Sequence, residues 1–285
     1  MPNIEEEFIR DCWYVAGWSG DFTHALTPLR ILDEPIVVFR TEAGVPAALE
    51  DACPHRKLPL SKGRLTGETV ECGYHGLTFD CSGTCVRAPT QDGPPPAVTV
   101  RSYPVEDRWG ILWIWMGDAN KANPDKIFEI PNYDNPAWGR TQGGSMDIAC
   151  HYLYVVDNLL DPSHVAWVHV SSFAGAGTGN LPLDLEKLDD GIIVSRWVMD
   201  APPPPYYEPI LPFSGNCDRK QHYECRLPST AINMSVYTRA GTGGDNDNLP
   251  DDAFLNISYN FMTPVDADNT RYFWFQHRNS DPDNQ

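Results

Sequence analysis

Long apolar runs are missing from this sequence. The most extended, Trp109–Met116, is far shorter than the ~20 residues that span a bilayer as a helix. Positive charge is scarce: Lys and Arg total 21 against 39 Asp and Glu, a formal net charge of −18. Such a surface repels phosphodiester backbones and anionic lipid, so no nucleic acid and no membrane is expected as partner. The opening, Met1–Glu7, is acidic rather than basic-then-apolar, so no secretory leader is expected there. Six of the eight cysteines (Cys12, Cys81, Cys85, Cys150, Cys217 and Cys225) follow no disulfide-framework spacing. Together these absences predict a reducing, cytoplasmic setting. Internal repeats are lacking too.

Enough apolar material is present for real cores: 41% of residues are hydrophobic and 11% aromatic. A chain of 285 residues favours about two domains. Short strands with frequent breakers fill the first part: Pro35–Arg40, Pro46–Glu50, Thr69–Glu71, Leu77–Asp80 and Gly110–Met116. That rhythm predicts a small antiparallel sandwich. Cys81-Ser82-Gly83-Thr84-Cys85 reads as a hairpin turn on Ser82-Gly83 rather than a redox pair. The polar stretch Asp118–Asp125 marks a boundary, giving domains of 1–120 and 121–285. In the second, Ile148–His169 reads as a helix and Pro202–Pro205 as a loop. Strands are expected at Gly191–Met199, Gln221–Arg226, Ala231–Arg239, Ala253–Met262 and Arg271–His277. The fold class is α+β, an all-β sandwich followed by an antiparallel-sheet domain with flanking helices.

Two stretches carry chemistry. The first is Cys53-Pro54-His55-Arg56, followed further on by Cys72-Gly73-Tyr74-His75-Gly76. Two thiolates and two imidazoles suit either zinc or an iron–sulfur cluster. Structural zinc sites usually pair Cys with Cys and His with His. Here each half supplies one of each, as a [2Fe–2S] centre needs when two His replace two Cys on one iron. Cys53 and Cys72 would hold the inner iron, His55 and His75 the outer one. The second stretch is Asn158-Leu159-Leu160-Asp161-Pro162-Ser163-His164-Val165-Ala166-Trp167-Val168-His169. Asn158, Asp161 and His164 fall on one helical stripe, whereas His169 is rotated about 140° from His164. Both imidazoles can reach one metal only if the helix is distorted or ends there. An equally simple reading makes Asp161 the cap of a new helix with Pro162 at its first position.

The first stretch resembles the Rieske signature, and the second resembles the iron motif N-L-x-D-x-x-H-x4-H of the Rieske non-haem iron oxygenases. The likeness leans toward the vanillate O-demethylase and toluenesulfonate methyl-monooxygenase oxygenase components. It implies a helix-grip catalytic domain and two cofactors, a [2Fe–2S] cluster and a mononuclear Fe(II). It implies that His164 and His169 are iron ligands, that Asp161 is a bridging carboxylate between a cluster His and an iron His of neighbouring subunits, and that Asn158 stands beside the iron. The third, carboxylate ligand is expected beyond residue 285, with Asp281 and Asp283 the only late candidates before it. The implied partners are a flavin and iron–sulfur reductase and/or a ferredoxin, a small aromatic substrate, O2, and two further copies in a head-to-tail homotrimer. The implied activity is monooxygenation in aromatic compound catabolism: hydroxylation of a methoxy or methyl carbon, as in O-demethylation of an aromatic acid. Ring cis-dihydroxylation by a dioxygenase is the alternative; an electron carrier without oxygenase activity, or a zinc-stabilised binding module, are alternatives of other classes. Relatives' acidic substrates suggest a cation in the pocket, with Arg239, Arg196, Arg226, Arg271 and Arg278 as options. His24, His151, His222 and His277 lack partners at ligand spacing and read as structural.

Overall fold

The computed structural model describes residues 8–89, 91–93, 95, 97–169, 171–172, 178–244 and 248–283. Its strands run in chain order as β1 (Cys12–Trp18), β2 (Thr27–Ile31), β3 (Glu34–Arg40), β4 (Pro46–Glu50), β5 (Arg64–Thr66), β6 (Thr69–Glu71), β7 (Thr78–Phe79), β8 (Cys85–Arg87), β9 (Ser102–Tyr103), β10 (Val105–Arg108) and β11 (Ile111–Met116). They continue as β12 (Gly139–Arg140), β13 (Gly144–Ile148), β14 (Asp184–Leu188), β15 (Gly191–Ala201), β16 (Cys217–Arg226), β17 (Thr230–Arg239), β18 (Phe254–Asp266) and β19 (Asn269–Arg278), with helices α1 (Tyr152–Leu160) and α2 (Val165–Val168) between β13 and β14. Contacts divide the described residues into two units. One comprises 8–127, 147–151 and 263–271; the other comprises 128–146, 152–262 and 272–283.

The first unit is built from three small antiparallel sheets, β1-β11-β10, β2-β3-β4-β9 and β5-β6-β7-β8. The unbroken apolar run of β11 explains its central place, since all six of its residues are buried. Trp13 packs edge-on against Trp115 with ring centroids 5.5 Å apart. The indole N–H of Trp115 donates to the Asp118 carbonyl at 2.8 Å, so the polar tip is satisfied while the ring is buried. Between the other two sheets, Val37, Phe39 and Leu49 meet Val70, Phe79 and Cys85, with Cys53 and Cys72 in the same cluster. The turn expected at Ser82-Gly83 is present. Gly83 has φ +82°, and a Cβ there would lie 2.0 Å from the Val100 carbonyl oxygen, so only glycine fits. Cys81 and Cys85 bond separate carbonyls, those of Glu68 and Arg87.

The second unit centres on one large antiparallel sheet of order β12-β19-β18-β17-β16-β15-β14, with β13 also paired to β19. Each strand expected after residue 190 is there, mostly longer than its apolar alternation suggests. The sequence reading missed β14, a charged edge strand in which four of five residues are exposed. It also overextended the helix. Ile148 belongs to β13, and the helical stretch splits at Asp161-Pro162 into α1 and α2. Pro162 has no N–H to continue the ladder, and the Asp161 carboxylate instead captures the amide and hydroxyl of Ser163.

Asp218 on β16 is fully buried. It accepts from the amides of Asp200, Gly241 and Thr242, each at 2.9 Å, and from that of Gly243 at 3.3 Å. Burial pushes its pKa up, but the amides of Asp200 and Gly243, the Thr242 hydroxyl and the Gly241 amide outweigh it and hold the carboxyl below the ordinary range. A depressed folded-state pKa gives stability that is complete above the unfolded-state value and fades as pH falls through the folded one. Asp218→Asn is therefore expected to lower the denaturation midpoint at pH 7, and the gap from the wild type should close as pH drops below about 4. Urea titrations across that pH range check it; a gap that stays constant would sink the assignment.

Candidate redox and iron centres

Two loops of the first unit fold alike. The Cys53 amide donates to the Leu58 carbonyl at 2.9 Å, and the Lys57 amide to the Cys53 carbonyl at 2.8 Å. The second loop repeats this with Cys72 to Leu77 at 2.8 Å and Gly76 to Cys72 at 3.1 Å. The residue four after each Cys is left-handed, Lys57 at φ +56° and Gly76 at φ +70°. At Gly76 a Cβ would lie 2.9 Å from Pro89. Asp51, buried, fastens the first loop by accepting from the amide and hydroxyl of Ser61, both at 2.6 Å.

These turns sort the four donors by depth. Cys53 and Cys72 are 2% and 3% exposed, whereas His55 and His75 lie on the surface with ring centroids 4.7 Å apart. Burial pushes the Cys53 thiol up, and the neighbouring Cys72 adds to this, while the amides of His55 and Arg56 point at its sulfur and pull the other way. The Tyr74 and His75 ring centroids are 3.9 Å apart, tilted by 33°, and the Arg56 guanidinium lies 5.9 Å from the Tyr74 ring centroid. Two buried thiols beneath two exposed imidazoles fit a two-iron cluster with Cys ligands inside and His ligands outside. Among the described residues no three His, Cys, Asp or Glu side chains converge on one point. A cluster with two protein ligands per iron does not require that.

In the second unit, His164 is the N-terminal flank of α2 and His169 its C-terminal flank. The Val168 amide bonds the His164 carbonyl at 2.9 Å and the His169 amide that of Val165 at 3.1 Å. At His169 the backbone leaves the helix, with φ −115° and ψ 19°. The two imidazoles thereby reach a centroid distance of 5.4 Å, as the sequence reading required. Asp161 Oδ2 lies 3.3 Å from His164 Nδ1. Burial raises the Asp161 pKa, but the Ser163 hydroxyl and amide and His164 more than offset it, so the carboxylate is ionised. With a carboxylate at Nδ1, Nε2 is the nitrogen that could hold a metal.

Arg196, 4% exposed, clamps this break. It donates to the Pro162 carbonyl at 3.3 Å, the Thr178 carbonyl at 2.7 Å and Gln221 Oε1 at 2.7 Å. A cavity of about 340 Å³ is walled by Asn158, His164, His169, Tyr206, Tyr207, Tyr223, Asn233, Asn260 and Tyr272 among others. Tyr272 donates to Asn260 Oδ1 at 2.6 Å, and Asn260 Nδ2 donates to Asn233 Oδ1 at 3.2 Å. Asn233 in turn donates to the Leu159 carbonyl at 2.8 Å, fixing the end of α1. Burial pushes Tyr223 and Tyr272 up to about 12, so both are neutral phenols at pH 7. Such a lining suits a one-ring aromatic molecule with polar substituents.

The suggested cations are elsewhere. Arg239 pairs with Asp252, Arg226 with Glu224 and Asp190, and Arg271 with Asp147; Arg278 donates to the Ser280 carbonyl at 3.4 Å. His222 contributes to the wall, but its Nε2 is 2.8 Å from Glu224 and strand alternation turns its ring away from Tyr223's side. His24 bonds the Arg40 carbonyl, His151 stacks on Phe8 and His277 lies against Trp138. Asp281 and Asp283 are exposed, and among the described residues no third acidic, His or Cys side chain joins His164 and His169. Removing the clamp with Arg196→Met should loosen the turn at 161–164. Iron analysis is expected to show loss of the mononuclear iron with the visible cluster spectrum intact; unchanged iron content would refute the clamp.

The two motifs fall in separate family matches. Residues 12–104 match the Rieske [2Fe-2S] domain, and residues 148–285 match the vanillate O-demethylase oxygenase C-terminal domain. The iron-sulfur subunit of a toluene-4-sulfonate monooxygenase system from Comamonas testosteroni is 35% identical over 98% of this chain and 81% of its own. A vanillate O-demethylase oxygenase subunit of a Pseudomonas species is 34% identical over 96% and 78%. The crystal structure of dicamba monooxygenase bound to 3,6-dichlorosalicylic acid superposes with a TM-score of 0.87 at 30% identity, covering 97% of this chain and 80% of that one. A stand-alone electron carrier would leave the second match unexplained. With similarity running through both units, the chain belongs to the Rieske non-haem iron oxygenases, in the group of vanillate O-demethylase and toluenesulfonate monooxygenase oxygenase components.

Proposed function

We propose that this chain is the terminal oxygenase of a multicomponent system and hydroxylates a methoxy or methyl carbon of a one-ring aromatic acid. The observation that carries this reading is the cavity of about 340 Å³ with His164 and His169 in its wall and neutral phenols and amides around it. Cys53, His55, Cys72 and His75 are the proposed cluster ligands, and His164 and His169 two of the iron ligands. When bound, the cluster supplies electrons singly and the ferrous iron supplies O2 activation.

The chain's own residues do the rest. Asp161 holds the His164 ring through Nδ1 and fixes its tautomer. The Tyr272–Asn260–Asn233 network presents fixed hydrogen-bonding groups to the ring substituents, so one carbon is held toward the two imidazoles. Tyr206 and Tyr207, centroids 5.0 Å apart, line one part of the cavity. For a methyl ether, ArOCH3 + O2 + 2e− + 2H+ gives ArOCH2OH + H2O, and the hemiacetal collapses to ArOH and formaldehyde.

The electrons come from a separate reductase or ferredoxin, which approaches the exposed His55–His75 edge. The acidic surface suits a basic patch on that partner. Two further copies complete the enzyme, each cluster serving the neighbouring subunit's iron in a closed head-to-tail ring, with Asp161 at the junction.

Two measurements test this. Full-length, iron-loaded protein with a surrogate reductase is expected to release formaldehyde from a methoxylated benzoate in step with reductant consumed; loaded protein giving neither formaldehyde nor any hydroxylated product refutes the reading. Asp161→Ala is expected to keep cluster and iron while turnover drops about 10–100-fold. Turnover at the wild-type rate removes Asp161 from its role.

A further inference from the structure

The guanidinium of Arg219, on β16, is only 1% exposed, and its Nε and Nη1 have no hydrogen-bond partner among the described residues. A buried cation without a counter-charge costs several kcal/mol, and buried N–H groups are nearly always satisfied. The adjacent carboxylate cannot serve, because Asp218 points to the opposite face of the strand and is saturated by the amides of Asp200, Gly241, Thr242 and Gly243.

Register places the orphan beside the cavity. On one face of the sheet, Tyr223, Asn233 and Ser258 form a cross-strand row, and Gln221, Ser235 and Asn256 the next. Five of those six line the cavity. The following row is Arg219, Tyr237 and Phe254, about 7 Å further along the strands. Tyr207 is the partition. It lines the cavity, accepts from Asn256 Nδ2 at 3.2 Å, and packs on Tyr237 at 4.7 Å and Phe254 at 6.2 Å. Arg219's positive charge acts on Tyr207 and Tyr223 alike.

We propose that Arg219 is the anion-recognition residue of this cavity, taking the carboxylate or sulfonate of the aromatic substrate when the Tyr207 side chain moves aside. The inference rests on the oxygenase reading and assigns the residue that takes the acid group of its substrate. A guanidinium offers paired N–H donors matched to a two-oxygen acid group. With the acid group held one row beyond the Ser235 row, the ring lies over Ser235 and Asn256 and its far end toward His164 and His169. The two orphaned nitrogens are then binding determinants, without a partner among the described residues.

The test is calorimetric titration of the full-length holoenzyme with 4-methoxybenzoate, toluene-4-sulfonate and the neutral 4-methoxybenzamide. The wild type should bind both anions at least tenfold more tightly than the amide. Arg219→Gln should abolish that preference while changing amide affinity less than twofold, and Arg219→Lys should keep part of it. A wild type with no anion preference, an Arg219→Gln variant that keeps it, or one that weakens all three ligands equally overturns the proposal. Should Arg219→Gln fail to fold, the wild-type comparison and Arg219→Lys still decide. Formaldehyde release separates the two readings: anion-selective binding without turnover sinks the oxygenase reading alone, and turnover with unchanged selectivity in Arg219→Gln sinks the Arg219 role alone.

Discussion

Two turns closed by the same pair of main-chain hydrogen bonds hold the chemistry of the N-terminal unit in place. In each, a Cys amide reaches the carbonyl five residues on, and the amide four residues on reaches back to the Cys carbonyl. That closure drives both sulfurs into a hydrophobic cluster and leaves both imidazoles in water. The sorting has electrical consequences. Burial disfavours a free thiolate at Cys53; a metal bound there would favour the anionic form, and the exposed His55 and His75 rings would leave that edge open to a redox partner.

The second unit depends on a helix that stops. A helix continuing regularly through His169 would point His164 and His169 to different sides, and the backbone leaves the helix at that residue. The proline removes a ladder bond, Asp161 satisfies Ser163, and Arg196 takes up the Pro162 carbonyl. The Ser163 amide and the Pro162 carbonyl are thus satisfied at the break, and two imidazoles of the following residues line one cavity.

Neighbouring residues on β16 show two treatments of buried charge. Asp218 is surrounded by backbone amides that solvate it fully, so it anchors the 239–244 turn to the sheet. Arg219, on the other face, is enclosed by Tyr237 and its aromatic neighbours without an acceptor for two of its nitrogens. Stability alone would favour an apolar residue at such a position; retention of the charge is intelligible as a cost offset by ligand binding.

Local chemistry was legible in the sequence. Cys53, His55, Cys72 and His75, the Asp161–His169 stretch, the Ser82-Gly83 turn and the apolar strands are short-range patterns, fixed by spacing, by proline and glycine, and by alternation. The overlong helix at 148–169 and the missed β14 show where such patterns weaken, one because periodicity ran across a proline break, the other because an exposed edge strand has no apolar face to betray it. Only the tertiary structure decided how the cations are paired. Arg239, Arg226, Arg271 and Arg278 proved to be committed outside the cavity and Arg196 to a structural clamp, while Arg219 stands out because it is buried with two nitrogens that lack a partner among the described residues. Pairing and burial are set by contacts between residues far apart in the chain, and a single sequence does not contain them in readable form.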